Sequence, residues 1–140
     1  MVMVIVGIIA AIAIPRFFSN STFQSRGFYE QVISTLRYAQ KAAIAQHHFV
    51  CVAFAANSVT LTIGATAACG TDLTGPTGQA PYSASSSNAS FQGSPPAAFS
   101  FDALGRPYDP AGVLLAAKQS ITVSGYATSI IVEAQTGYVH

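Results

Sequence analysis

The chain opens on an unbroken apolar run and then changes its hydrophobic period twice. Residues 1–14, MVMVIVGIIAAIAI, carry no polar side chain, and at about 1.5 Å per residue they make a helix only about 21 Å long. A complete bilayer span needs about 20 residues, so this run by itself is a short anchor or the apolar part of a signal peptide. Pro15 disfavours helical geometry at Ile14 and removes a backbone donor, yet Phe17 and Phe18 carry the apolar character past Arg16. From Arg16 to about Gln46 the period becomes that of an amphipathic helix. Phe28, Val32, Leu36, Ala39 and Ala43 follow one another at intervals of four, four, three and four, flanked by Tyr29, Ile33 and Ile44, so they form one stripe. Arg26, Glu30, Arg37 and Lys41 lie opposite. Gly27 and the polar run from Ser19 to Thr22 weaken the helix, which predicts local unwinding after Pro15.

Beyond His47 and His48 the period falls to two. Residues 49–55, FVCVAFA, and 58–63, SVTLTI, read as a hairpin turning at Ala56-Asn57. Further strands are predicted at 97–101, 120–124 and 128–134, with a turn at Gln135-Thr136-Gly137 leading into Tyr138-Val139-His140. Residues 70–98 are rich in Gly, Pro, Ser, Thr and Asn and read as a long loop, a place for surface variation or a tolerated insertion. The pattern predicts an α+β chain: an apolar helix over 1–18, its amphipathic continuation over 19–47, and an antiparallel β-sheet domain over 48–140. A chain of 140 residues has room for one such core.

Composition narrows the setting. Only 8% of the residues are charged, against about 25% in an average soluble domain, while 51% are hydrophobic. The deficit persists well past the apolar run, because Ser, Thr, Ala and Gly replace charge from Phe49 to Tyr138. Such a surface suits export and close packing against other chains. The net charge of +1 supplies no field for nucleic acid or an acidic substrate. Locally, Arg16, Arg26, Arg37 and Lys41 outnumber Glu30, an excess that could meet anionic headgroups or simply form a solvated helix face. Two cysteines, Cys51 and Cys69, suggest one disulfide in an exported chain, with two separate buried thiols as the alternative.

The residues from Gly7 through Ile8, Ile9, Ala10, Ala11, Ile12, Ala13, Ile14 and Pro15 to Arg16 and Phe17 closely resemble the N-terminal helix of type IV pilins and type II secretion pseudopilins. The family's basic leader, cleaved glycine, N-methylated phenylalanine and early glutamate have no counterpart here, so the sequence is expected to begin inside a longer segment. Two later motifs point the same way. Phe101-Asp-Ala-Leu-Gly105-Arg106-Pro107 and the closing Thr136-Gly137-Tyr-Val resemble the minor pseudopilin group typified by the general secretion pathway H protein and FimT. The Pro15-to-Phe18 and Arg37-to-Lys41 segments are also similar to a minor subunit of mannose-sensitive haemagglutinin-type pili. The resemblance implies a long N-terminal helix, half in a membrane or filament core and half packed on a sheet. It also implies inner-membrane residence with a periplasmic globular domain, and other pilins or pseudopilins as partners.

Candidate chemistry is sparse. His47, His48 and Cys51 are too few for a metal centre and Cys51 has a better partner in Cys69. No nucleophile elbow, phosphate loop or carboxylate pair occurs, and Asp102 and Asp109 read as turn residues. The expectation is an assembly subunit without cofactor, metal or small-molecule substrate. Two rival readings remain. One is a DNA-binding minor pilin, for which Arg106 and Lys118 offer few cations and residues 135–140 none but His140. The other is a soluble periplasmic protein released at the small residues Ala11-Ile12-Ala13.

Overall fold

The computed structural model describes residues 1–17 and 20–140, with side chains for residues 1–9 and 21–140. Helix α1 spans Val2–Phe17 and runs through Pro15, while α2 spans Asn20–Gln46 and runs through Gly27. The expected unwinding after Pro15 and the continuity of the two halves fall on residues 18 and 19, outside the described residues.

Helix α2 is held by its apolar stripe. Phe28, Val32, Leu36, Ala39 and Ala43 are buried, together with Tyr29, Ile33 and Ala42. Each large side chain in such a stripe stabilises the fold by about 1.5–3 kcal/mol relative to leaving it in water. The stripe lies on an antiparallel sheet. Strands β1 (Phe49–Ala55) and β2 (Ser58–Gly64) form a tight hairpin with Ala55 opposite Ser58. Strand β5 (Phe99–Phe101) pairs with the other side of β1, and β6 (Pro107–Tyr108) continues the sheet outward. Because side chains alternate across a strand, the register puts Val50, Val52, Val59, Leu61, Phe99 and Phe101 on the face toward α2, all of them buried. Cys51 falls on the opposite face, and its bond to Cys69 ties the segment after β2 back to the sheet.

A second small sheet completes the core. Strands β7 (Gln119–Ile121) and β8 (Ile130–Val132) pair, and the chain end adds a further rung through Val132 and Val139. Ile121, Val123, Ile130, Val132 and Val139 contribute its buried side.

The segment 70–98 differs from a plain loop. It supplies β3 (Thr71–Asp72) and β4 (Ser83–Ser85), each paired with β2, and its Leu73, Ala89 and Phe91 enter the core. Phe91 packs against the rings of Phe28 and Phe54 and bridges to Val123, so this segment joins the two sheets. Strands of two and three residues carry no readable period, which is why the Gly, Pro and Ser content dominated the sequence pattern.

Candidate assembly site

Helix α1 presents an apolar surface that nothing else in the chain covers among its described side chains. Met1, Val2, Met3, Val4, Ile5, Val6, Ile8 and Ile9 are each between 57% and 102% exposed. Gly7 lies between them, with no atom within 4 Å of where its Cβ would stand. The side chains of Ala10, Ala11, Ile12, Ala13, Ile14, Pro15 and Phe17, and all of Phe18, lie outside the described set. The expected single-pass span is not met by the described residues: none of their helices is long and apolar enough to cross a membrane. The reason is length, since the 16 residues of α1 rise only about 24 Å against a hydrocarbon core of about 30 Å.

The two later sequence motifs converge on one spot beside the C-terminal half of α2. Gly105 and Gly137 both have positive φ, at 79° and 69°, a region that favours glycine. Gln40 reaches out of the helix and its amide donates to the Gly105 carbonyl at 3.0 Å and to the Thr136 carbonyl at 3.2 Å. One turn earlier, the Arg37 guanidinium donates to the Val139 carbonyl, Nε and Nη2 each at 3.3 Å. Polar side chains of α2 thus clamp the β5–β6 turn and the closing strand onto the helix.

Asp102 organises that turn. Its Oδ1 accepts the amides of Leu104 and Arg106 at 2.9 and 2.8 Å, and its Oδ2 accepts Nε and Nη2 of Arg106 at 2.9 and 2.7 Å. Burial pushes the Asp102 carboxyl up, but the amide and guanidinium of Arg106 and the amide of Leu104 outweigh it and hold the group below its ordinary value. The same hydrogen bond raises Arg106 above the ordinary guanidinium value. Pro107 is buried at the start of β6 and Phe101 at the end of β5. Elsewhere, burial, then Tyr126 and Glu30, push the Tyr29 phenol up against the opposing pull of Arg37.

The residues weighed for other chemistry are dispersed or engaged. Cys51 is bonded to Cys69, which removes it from any ligand set with His47 and His48. Among the described residues no group of three or more His, Cys, Asp or Glu is placed to hold a metal ion. Asp109 accepts the Val113 amide at 2.8 Å, and His140 pairs with Glu133 at 3.0 Å. The roles of Gln40 and Arg37 were missed by sequence reasoning. Their partners lie 65 to 102 residues away in the chain, and a side chain bonding to a backbone carbonyl leaves no mark in composition or period.

This architecture, a helix followed by an antiparallel sheet and tied to it at two glycine turns, is compatible with a pilin-like fold. The family model for the type II transport protein GspH matches residues 29–136, and the chain belongs to that family within the pilin and pseudopilin superfamily. Compared with curated proteins and with solved structures, the chain has no match. The matched region begins in α2 and ends at the Thr136 turn, so it includes the Gln40 clamp and leaves out α1.

Proposed function

We propose that the chain is a non-enzymatic minor subunit that assembles into, or primes, a type II secretion pseudopilus or the related type IV pilus. The observation that carries this reading is the uncovered apolar surface of Met1–Ile9, on a chain whose remaining body belongs to the GspH family. Surface of that kind drives association by leaving water, first into the inner membrane and then among like helices of neighbouring subunits. The body then faces the periplasm and makes the subunit contacts. Family membership makes a DNA-binding role no easier to support. Arg106 is already engaged by Asp102, and residues 135–140 contain no Lys or Arg.

The test is fractionation together with cross-linking of the full chain in cells. Expected is membrane retention that Ile5→Asp with Ile8→Asp abolishes, and a photo-cross-linker at Ile8 that captures pilin-type subunits. A protein found only in soluble periplasm and beginning at Ile14 or Pro15 by mass spectrometry overturns the reading.

A further inference from the structure

Two stretches of the chain carry an asparagine, a residue other than proline, and then a hydroxyl residue: Asn20-Ser21-Thr22 and Asn88-Ala89-Ser90. That pattern is the acceptor signature for N-linked glycans in exported proteins, where the hydroxyl two places on has to come back toward the asparagine amide. The fold separates the two. Asn20 and Thr22 lie in the first turn of α2, and helical residues two apart do not face each other. Asn88 and Ser90 lie in the irregular segment 86–90, between β4 and Phe91.

This segment is held at both ends on the β1–β2 turn. Ser86 donates its amide to the Asn57 carbonyl at 3.0 Å, and Phe91 donates to the Ala56 carbonyl at 2.9 Å. Between them the Ser86 hydroxyl oxygen accepts the amides of Asn88 and Ala89 at 3.2 and 3.0 Å, a turn that sends Ala89 into the core and leaves Asn88 exposed. The Asn88 amide nitrogen touches the neighbouring Ser87 hydroxyl at 3.1 Å, on the surface. Ser90 is fixed through its carbonyl, which accepts the Ser124 amide at 2.8 Å. Beside them lies an open recess of about 460 Å³ lined by Ala56, Asn57, Ser87, Asn88, Ala89 and Ser90. Its amides and hydroxyls suit the neutral hydroxyls of a sugar, and it offers no charge to a phosphate or a carboxylate.

We propose that Asn88 is an N-glycosylation site, with the first sugar lying on this recess. In the transfer, Asn88 Nδ2 forms a bond to the anomeric carbon of a sugar carried on a lipid diphosphate. The bond from that carbon to the diphosphate oxygen breaks, the lipid diphosphate leaves, and one Nδ2 proton passes to a base of the transferase. Neither an oxidant nor a reductant is needed. Ser86, two residues ahead, brings no charge, so the transferase implied reads the amide and the Ser90 hydroxyl alone. A bulky, hydrated group here keeps the β1–β2 end of a charge-poor surface in water and out of subunit contacts. The proposal needs export of the body, which the Cys51–Cys69 disulfide favours, and does not need assembly into a filament.

The experiment purifies the full chain from the cells that encode it, from membrane and soluble fractions alike, and measures intact and peptide masses. Expected is a mass increase of whole sugar residues on the peptide holding Asn88. It is expected to be lost in Asn88→Gln and Ser90→Ala and kept in Ser90→Thr, which retains the hydroxyl. Ser87→Ala and Asn20→Gln are expected to leave it in place. A parent chain of unmodified mass overturns the proposal, as does a sugar on Ser87 or another serine, or one that survives Ser90→Ala. Should a variant fail to accumulate, fragment spectra of the parent decide: a sugar on Asn88 supports the proposal, and one elsewhere overturns it. Both fractions are read, so a chain that fails the membrane test of the assembly reading still shows whether Asn88 is modified.

Discussion

Gly105 and Gly137 meet backbone to backbone: a Cβ on Gly137 would run into the Gly105 carbonyl oxygen, which is itself held by the Gln40 amide at 3.0 Å. The contact joins the turn after β5 to the turn before the closing strand, two places 32 residues apart in the chain. Both turns need positive φ, and both are crowded where a Cβ would stand, Gly137 by backbone and Gly105 by side chains.

That asymmetry orders two substitutions. Gly137→Ala adds an unfavourable backbone conformation to an overlap with backbone, which has no side chain to swing aside. A loss of about 2–4 kcal/mol is expected. Gly105→Ala meets Ile44 Cδ1 at 2.9 Å and the Gln40 side chain at 3.2 Å, both able to move, so about 1–2 kcal/mol is expected. Denaturant unfolding of both variants checks the order, and a Gly105 variant weaker than the Gly137 variant contradicts it.

Gln40→Ala leaves the carbonyls of Gly105 and Thr136 without their shared donor. The expected cost is about 1–2 kcal/mol, with the closing strand affected first. Hydrogen exchange at Ile131 and His140, which bond each other across the closing rung, should accelerate more than exchange in β1. Uniform acceleration would assign the effect to α2 itself rather than to the clamp.

The acid limb of stability should depend on Asp102. Its folded carboxyl lies below the ordinary value, so its contribution is complete above the unfolded value of about 3.9 and disappears as pH falls through the depressed folded value. Asp102→Asn is therefore expected to be less stable at neutral pH by about 1–3 kcal/mol, and to lose less than the parent on acidification below about pH 4. Urea midpoints measured across that range give the comparison; parallel pH profiles count against the assignment.

The disulfide closes a loop between residues 51 and 69, a separation of 18, with Cα atoms 6.1 Å apart. Cys51→Ser with Cys69→Ser should lower stability by about 3 kcal/mol through the entropy of the unfolded chain. Reduction of the parent should produce the same shift in midpoint, and the double variant, which has no thiol left, should not respond to reductant; a parent that keeps its midpoint on full reduction contradicts the assignment.

Much of the fold is legible in the sequence where burial repeats at a fixed period. The α2 stripe and the β1–β2 hairpin, with its turn at Ala56-Asn57, follow directly from spacings of three to four and of two. The motif glycines are legible as turns, but not their meeting, since contact between residues 105 and 137 has no one-dimensional signature. Gln40 reads as one more polar helix residue, and only the folded chain reveals what it holds. The segment 70–98 was the least legible. Its apolar residues are isolated among Ser and Gly, so Leu73, Ala89 and Phe91 look like tolerated surface residues although each is buried.

Phe91 is the sharpest test of that segment. Its ring lies 5.2 Å from Phe28 and 5.4 Å from Phe54, and its amide donates to the Ala56 carbonyl at 2.9 Å, so it links α2, the β1–β2 turn and the second sheet. Removing the ring empties a site walled by three elements that cannot all close inward. Phe91→Ala is expected to cost about 3–5 kcal/mol, whereas Gln92→Ala, on the exposed neighbour, should change stability by no more than about 0.5 kcal/mol. Equal, small effects at the two positions would make 70–98 a loop laid over a finished core, while the expected contrast makes it part of the core that positions α2 on the sheet.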